Sequence, residues 1–179
     1  NSAFSSERLL FVPSAPHDEA VAVVFVFPND YSVGITSLGY QVVWATLARR
    51  ADVDVRRLFT DAHEPLPPRL DLVGFSLSWE LDYPNILNLL ESLGVPIWAT
   101  ERSDNHPLIF GGGPVLTANP EPFAPFFDVI LLGDGETLLD DFMDAYQTVK
   151  RSDRQTQLRH LARIPGVYIP SLYTIDYTA

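Results

Sequence analysis

The sequence contains no cysteine, and this absence removes several kinds of chemistry at once. It excludes disulfide bonds, a thiol nucleophile and zinc held by thiolates. It also excludes an iron–sulfur cluster bound through cysteines of this chain. A chain of 179 residues does not need such cross-links for stability, because a domain of that size buries roughly 70% of its unfolded surface.

Basic charge and long apolar runs are also scarce. Lysine and arginine number 12 against 23 acidic residues, which leaves a net charge of −11. This balance argues against nucleic acid or an anionic membrane as a partner bound through bulk charge. The longest apolar run, residues 20–27, is far shorter than the roughly 20 residues of a membrane span, and no signal peptide is visible. We therefore predict a cytoplasmic location.

Both ends of the chain carry little local signal. The sequence begins with Asn1, and its only methionine is Met143. The last residues are extended in character and rich in tyrosine. We expect a piece of a longer protein that divides into an N-terminal arm (1–19), an α/β domain (20–150), and a helix with an extended linker toward a further domain (151–179).

Short apolar runs predict the strands of the domain. Residues 108–110 and 129–132 are bounded by glycine and do not alternate with polar residues, which is typical of strands buried on both faces of a parallel sheet. Helical patterns separate the runs, so right-handed crossovers are expected. We predict a doubly wound, parallel, five-stranded α/β sheet of flavodoxin-like, cobalamin-binding-type order 2-1-3-4-5. The predicted strands are 20–27, 53–59, 72–77, 108–110 and 129–132.

The predicted connections follow from glycine, proline and capping residues. Thr36 or Ser37 is expected to begin a helix that ends near Arg50, and Gly94 to end the helix that begins near Asp82. The remaining predictions are a polar loop at 29–34, a proline-rich loop at 60–69, a short extra strand at 95–99, broken helical turns at 120–125, an amphipathic helix at 136–150 and a surface helix at 152–163.

The loops after the predicted strands are the candidate binding site, because ligands of open parallel sheets bind outside the carboxyl ends of the strands. Glycine and short polar residues dominate these loops. The candidate cofactor-binding residues are Asp30, Tyr31, Ser32 and Gly34 after strand 1; Ser76, Ser78, Trp79 and Glu80 after strand 3; Gly111, Gly112, Gly113 and Asn119 after strand 4; and Gly133, Asp134, Gly135 and Glu136 after strand 5.

Several of these residues have a structural interpretation beside the functional one. The three consecutive glycines fit either close packing and positive φ, or room for a flat cofactor. Trp79 fits either core packing or stacking on a ligand. Asn119 and Asp134 fit helix caps, and Glu136 fits a first helical turn. These alternatives stay open on residue chemistry alone.

Motifs for named reactions are missing. The sequence has no phosphate-binding loop, no G-x-G-x-x-G after strand 1 and no specific Ser-His-Asp set. His17, His63, His106 and His160 do not have metal-ligand spacing, and we expect all four to be solvated. The residues therefore predict a ligand-binding α/β domain with no catalytic or metal-binding residue of its own.

Three segments together resemble the N-terminal domain of radical S-adenosylmethionine (SAM) proteins. They are residues 30–44, 74–87 and 110–136, and the similarity extends over about 21–149. The third segment is the most specific, because it combines Gly-Gly-Pro, Asn-Pro-Glu and Gly-Asp-Gly-Glu at fixed intervals. The closest resemblance is to a bacterial radical SAM family of unassigned activity whose leading domain is of the cobalamin (B12)-binding type.

The resemblance implies a Rossmann-like sheet and a partner domain in the same protein. That C-terminal radical SAM domain would be a barrel in which three cysteines hold a [4Fe–4S] cluster and SAM is cleaved. The chain described here has no cysteine, so we expect it to be inert in radical chemistry by itself.

One departure from the cobalamin-binding pattern concerns the cobalt ligand. Domains that ligate cobalt use D-x-H-x-x-G after strand 1, whereas here Ser32 stands near the histidine position in a shorter loop. Ser76, Gly111 and Gly112 match other positions of the pattern. The resemblance is therefore compatible with cobalamin bound without a histidine ligand. It is also compatible with a cofactor-free structural or gating domain whose cleft is filled by Trp79, Tyr31 or neighbouring side chains. A free-standing flavodoxin-like nucleotide binder is a third, weaker alternative.

Overall fold

The computed structural model describes residues 3–133 and 135–176, except for the side chain of Glu136. Six strands form one sheet of order β2-β1-β3-β4-β5-β6. The first five strands are parallel, and β6 runs antiparallel to β5. The strands are β1 (Val21–Val26), β2 (Val53–Leu58), β3 (Leu72–Ser76), β4 (Leu108–Gly112), β5 (Val129–Leu131) and β6 (Val167–Tyr168).

The parallel part of the sheet has the predicted order, and the prediction that the sheet has five strands is wrong. Val167 and Tyr168 pair with Leu131 and Ile130 and add a short sixth strand. Gly166, at φ 87°, turns the chain toward β5, and its carbonyl accepts a hydrogen bond of 2.8 Å from the amide of Leu132. A two-residue strand carries no periodicity, so this pairing depends on tertiary contacts.

Helices cover both faces of the sheet. Val21, Val23 and Phe25 of β1 face one apolar layer, while Val24 and Val26 face the other. This alternation buries the strand on both sides, as the unbroken apolar run predicts. The helices are α1 (Tyr31–Gly34), α2 (Leu38–Ala48), α3 (Tyr83–Ser92), α4 (Pro114–Ala118), α5 (Gly135–Val149) and α6 (Arg154–Leu161). Helices α2, α5 and α6 pack on the first layer, and α3 and α4 pack on the second.

The predicted helix ends are confirmed at two positions. The hydroxyl of Ser37 accepts a hydrogen bond of 3.4 Å from the amide of Tyr40 and caps α2. Gly94 follows α3 with φ 69°, a conformation that glycine adopts without strain. Among the described residues, no helix combines the length and the apolar character that a membrane span requires.

Three local predictions need correction. Residues 29–34 contain the single-turn helix α1, which the polar sequence did not indicate. Residues 95–99 form no strand, and a 3-10 turn, Ala99–Glu101, begins there. The helix predicted at the surface, α6, is half buried, because Leu158 and Leu161 pack into the first apolar layer.

A buried ionic cluster attaches α6 to the sheet. Asp128 Oδ2 accepts hydrogen bonds from Arg102 Nη1 at 3.0 Å and from Arg154 Nη2 at 2.7 Å. The same oxygen accepts the backbone amide of Ile109 at 2.8 Å. Arg154, the first residue of α6, is thereby held at the N-terminal ends of β4 and β5. The role of residues 151–179 as a linker to a further domain stays a prediction.

Candidate functional site

A cavity of about 160 Å³ lies at the carboxyl edge of the sheet, beside the ends of β3, β4 and β5. Phe25 and Phe110, which belong to the first apolar layer, form part of its wall. Phe75 also borders the cavity, although its ring lies in the second layer, 6.1 Å from the ring of Phe127. Strand β5 contributes Leu131 and α5 contributes Leu139. Helix α2 closes another side with Gly39 and Val43. The cavity therefore lies where open α/β sheets bind ligands.

The three consecutive glycines have different roles. A Cβ atom on Gly112 would meet only Leu131, with its carbonyl oxygen 3.8 Å away, so Gly112 leaves space on the cavity floor. A Cβ atom on Gly111 would lie 2.6 Å from side-chain carbons of Leu116 and Phe127, which indicates close packing. Gly113 has φ 112°, and a Cβ atom there would approach the carbonyl of Leu77 to 2.5 Å. Both interpretations of the glycine cluster hold, each for different residues.

Six of the sixteen candidate residues line the cavity. They are Ser76, Ser78, Gly112, Gly113, Gly133 and Gly135. They come from the loops after β3, β4 and β5, as predicted for a site at this edge. Two further candidates, Asp134 and the side chain of Glu136, lie outside the described part of the chain.

The four candidates after β1 lie away from the cavity. Loop residues Asp30 and Tyr31 are drawn toward β2, because Thr60 Oγ1 donates to the Asp30 carboxylate and the Tyr31 amide donates to Asp61 at 2.7 Å. Ser32 is exposed on α1. Gly34 is buried against the rings of Phe59 and Phe27. Their part in ligand binding stays a prediction.

The remaining candidates lie outside the cavity as well. Gly111 packs against Leu116 and Phe127, and Glu80 and Asn119 are exposed. Trp79 is 57% exposed, so the interpretation of this residue as part of the core is wrong. Trp79 lies three residues past the end of β3 and projects into solvent because the chain turns immediately into the 3-10 turn Glu80–Asp82. Stacking of Trp79 on a ligand stays a prediction.

Sequence patterns missed the apolar wall of the cavity. Phe25, Phe75 and Phe110 look like ordinary strand residues, so nothing in the sequence distinguishes them from the core. Gly39 carried a usable signal, because glycine inside a helix costs about 1 kcal/mol relative to alanine. A Cβ atom on Gly39 would meet nothing within 4 Å. The missing side chain at Gly39 therefore leaves the rim of the cavity open.

The electrostatics near the cavity are simple. Among the residues that the structure describes, none that forms its wall is charged. The nearest unusual group is Asp82, which is only 7% exposed at the start of α3. Burial raises the pKa of its carboxyl group, and Asn29 Nδ2 donates a hydrogen bond of 2.9 Å that partly offsets this rise. This bond links the loop after β1 to α3 across the point where the strand order reverses.

The cavity offers binding surface and no acid–base pair. Across residues 3–133 and 135–176, no three His, Asp or Glu side chains are grouped so that they could hold a metal ion. Aromatic rings, a glycine floor and two serine hydroxyls can accept an uncharged, flat or aromatic group. The arrangement is that of a binding module.

Comparison with known proteins identifies the family. A family model described as radical SAM proteins, N-terminal, matches residues 43–170. The chain belongs to this family. An uncharacterized protein of Methanocaldococcus jannaschii is 30% identical over 115 residues, which are 64% of this chain and 24% of that protein. The chain thus spans about a quarter of the length of this relative.

Solved structures of radical SAM enzymes share the fold. The cobalamin-dependent SAM radical enzyme OxsB, with aqua-cobalamin and SAM bound, matches with a TM-score of 0.50 and 14% identity over 82% of this chain and 20% of that chain. The radical SAM methyltransferase TsrM from Kitasatospora setae, with tryptophan and a SAM analog bound, matches with a TM-score of 0.51 and 17% identity over 82% and 28%. The prediction of an N-terminal domain of a radical SAM protein is confirmed. Its fold is shared with these radical SAM enzymes.

Proposed function

We propose that this radical SAM N-terminal domain binds cobalamin at the carboxyl edge of the sheet and presents it to a radical SAM domain of the same protein. The observation that carries the proposal is the glycine-floored cavity beside β3, β4 and β5. A cofactor-free gating domain predicts that Trp79, Tyr31 or neighbouring side chains fill this space. Trp79 and Tyr31 do not line the cavity, and its open volume of about 160 Å³ supports the binding function.

The shape of the cavity fits part of a cobalamin molecule. An apolar cavity of about 150 Å³ can take up benzene, so the 160 Å³ found here suits one small aromatic group. Cobalamin carries a benzimidazole nucleotide beside its much larger corrin ring. The aromatic wall would hold the benzimidazole, and Ser76 and Ser78 would hydrogen-bond polar atoms near it. The corrin ring would lie outside the cavity, on the loops.

The cobalt atom would have no ligand from this chain. No histidine lines the cavity, and Ser32 lies on α1 beside β2. Bound cobalamin supplies cobalt-centred chemistry. The residues of this chain bind and orient the cofactor and exclude water from one side of it. The [4Fe–4S] cluster and SAM would belong to the partner domain.

An apolar rim supports docking of that partner domain. Val33, Leu38, Trp79, Leu81 and Tyr83 are between 41% and 76% exposed. All five lie on the loops after β1 and β3 or in the first turns of α2 and α3. Exposed apolar patches of this kind are typical of interaction surfaces. A domain seated on the rim would cover the cavity from above.

Titration with hydroxocobalamin tests the proposal. We expect saturable binding with a Kd in the micromolar range, corresponding to about −8 kcal/mol. Gly112→Leu fills the floor and should weaken binding by about ten-fold or more, while Gly112→Ala should have a smaller effect. Glu91→Leu is a matched control, because it adds the same side chain on an exposed position at the far end of α3.

The outcome that contradicts the proposal is absence of saturable binding by both this chain and the full-length protein, with each shown to be folded. Binding that Gly112→Leu leaves unchanged would place the cofactor elsewhere. In the first case the cofactor-free gating function would replace the present proposal. Ser32 stands near the position of the histidine that ligates cobalt in other cobalamin-binding domains. Its presence would then indicate that this domain has lost the cofactor.

A further inference from the structure

The N-terminal arm contacts the edge of the sheet far from the cavity. Its first 3-10 turn, Ala3–Ser6, places the ring of Phe4 edge-on to Tyr31, with the ring centroids 5.3 Å apart. The ring centroid of Phe4 also lies 6.2 Å from that of Phe59, which follows β2. The arm therefore reaches both the loop after β1 and the loop after β2.

Arg57 of β2 anchors the arm. Its guanidinium group lies between the rings of Phe4 and Trp44, at 4.6 and 4.1 Å from their centroids. The side chain is only 3% exposed. Two nitrogens donate to the carboxylate of Glu7 at 2.8 and 2.7 Å, and one also donates to Glu64 at 2.9 Å. A buried arginine with two carboxylate partners holds the arm firmly.

Glu7 also binds the loop after β1. The hydroxyl of Tyr31 donates a hydrogen bond of 2.7 Å to Glu7 Oε1, the same oxygen that accepts from Arg57 Nη1. Glu7 thus connects β2 to the first residue of α1. We call Glu7, Tyr31 and Arg57 the clasp.

Helix α1 is also held by hydrogen bonds to the loop after β2 and by the packing of Gly34 against Phe59 and Phe27. It is a single turn of four residues, and isolated turns of that length are not stable in water. Ser32 and Val33 are exposed, and Gly34 has no side chain. Tyr31 is the α1 side chain that packs against the apolar layer. Among the side chains of α1, Tyr31 therefore makes the contacts that connect the helix to the N-terminal arm and to the apolar layer.

We infer that Glu7 and Tyr31 are positioning residues through which the N-terminal arm holds the loop after β1 against β2 and keeps the cavity open to its ligand. With the clasp intact, the loop lies on the β2 side of the edge. With the clasp broken, α1 keeps only its contacts with the loop after β2 and the packing of Gly34, and we expect it to shift in part of the population toward α2, whose Gly39 and Val43 line the cavity. The choice of ligand rests on the proposed cobalamin function, whereas the clasp itself does not.

Amide hydrogen exchange tests the clasp without any cofactor. The amides of Val33, Gly34 and Ile35 are bonded to carbonyls of Asp30 and Tyr31, so they report on α1. In Tyr31→Phe and in Glu7→Gln, we expect these amides to exchange about five-fold faster or more. Glu64→Gln is the matched control, because it weakens the other carboxylate partner of Arg57 and does not touch Tyr31.

Two results of the exchange measurement would overturn the inference. One is unchanged exchange at all three amides in Tyr31→Phe. The other is an acceleration in Glu64→Gln equal to that in Glu7→Gln, since this would indicate general loosening of the β2 edge. Thermal unfolding of each variant, measured in parallel, separates local opening from global loss of stability.

Hydroxocobalamin titration of the same variants tests the link to the cavity. If the wild-type chain binds, Tyr31→Phe should raise the Kd about three-fold or more, because the loop then covers the cavity in part of the population. An unchanged Kd together with accelerated exchange would refute the positioning role. Absence of binding by the wild-type chain and the full-length protein would refute the cobalamin function, and the exchange result would still decide whether the clasp exists.

Discussion

The two halves of the carboxyl edge of the sheet differ in the kinds of side chain that form them. On the β1–β2 side, charged and aromatic side chains are tied to one another, and Arg57 is buried between two rings and two carboxylates. On the β3–β5 side, glycines and apolar side chains surround a cavity whose described lining residues carry no charge. The β1–β2 half of the edge is thus held by its own side-chain contacts, whereas the β3–β5 half leaves space for a ligand. We call them the fixed half and the available half. This division suggests that ordering one loop leaves neighbouring strand ends free for a ligand.

The largest change in the free energy of unfolding is expected from a substitution that disrupts the contacts of the fixed half. Arg57→Ala removes the guanidinium group and leaves the carboxylates of Glu7 and Glu64 close together without a cation. Loss of a buried ion-pair partner typically costs about 3–5 kcal/mol, and packing against Phe4 and Trp44 is lost as well. Urea unfolding of the variant measures the change. Arg56→Ala is the matched control, since the neighbouring Arg56 is more exposed and pairs only with Asp54 among the described residues. A loss below about 1 kcal/mol for Arg57→Ala would show that the half is not fixed by this residue.

A smaller effect should distinguish two adjacent glycines of the available half. Gly111→Ala places a methyl group 2.6 Å from Leu116 and Phe127, and overpacking of this kind costs about 1–3 kcal/mol. Gly112→Ala meets only ordinary contacts and should change the free energy of unfolding by less than about 0.5 kcal/mol. Equal losses for the two variants, measured by urea unfolding, would contradict the assignment of Gly112 to an open floor.

The smallest change in the free energy of unfolding is expected at alkaline pH, where the contribution of Tyr31 in the fixed half is lost. Burial, with the hydrogen bond to Glu7, raises the pKa of Tyr31 to about 12 from an ordinary value of 10.0. The neutral phenol is thus favoured in the folded state, so its contribution to stability is complete below pH 10 and is lost as the pH rises through 12. Tyr31→Phe should be less stable than the wild type by about 1 kcal/mol at pH 8.

The difference between wild type and Tyr31→Phe should then shrink between pH 10 and pH 12. Unfolding free energies of both proteins over this range provide the measurement. Tyr168→Phe is an informative control on the opposite edge, because burial and a hydrogen bond to Glu121 also raise the pKa of Tyr168 to about 12. A difference that stays constant with pH would indicate that Tyr31 does not retain its proton through contact with Glu7.

Much of the sheet could be predicted because its signals are local. The apolar runs at β1, β3, β4 and β5 each report burial on two faces, and Arg56 and Arg57 indicate that β2 is an edge strand, as the structure confirms. Strand β6 could not be predicted, since two residues have no period. The short helix α1 was missed for the same reason, because its position depends on Tyr31 and not on a repeating pattern.

The candidate site was predicted at the edge of the sheet where the cavity lies, and six of its sixteen residues line that cavity. Strand ends converge by topology, so Ser76, Gly112 and Gly133 could be placed together from sequence. The phenylalanine wall was missed because a ring that faces a cavity and a ring that faces the core look the same in sequence. Trp79 was ambiguous for the converse reason, and only its 57% exposure excludes it from the core.

By itself, the sequence determined the absence of thiol chemistry, the parallel order of five strands and the edge of the sheet at which the cavity lies. These properties follow from composition and from short-range periodicity. The tertiary structure alone decided which glycine leaves space, which loop faces the cavity and how Glu7 reaches Tyr31 and Arg57. Glu7 is 24 residues from Tyr31 and 50 from Arg57 in the chain. Contacts over such separations arise only when the folded backbone brings distant side chains together, and no local pattern encodes them.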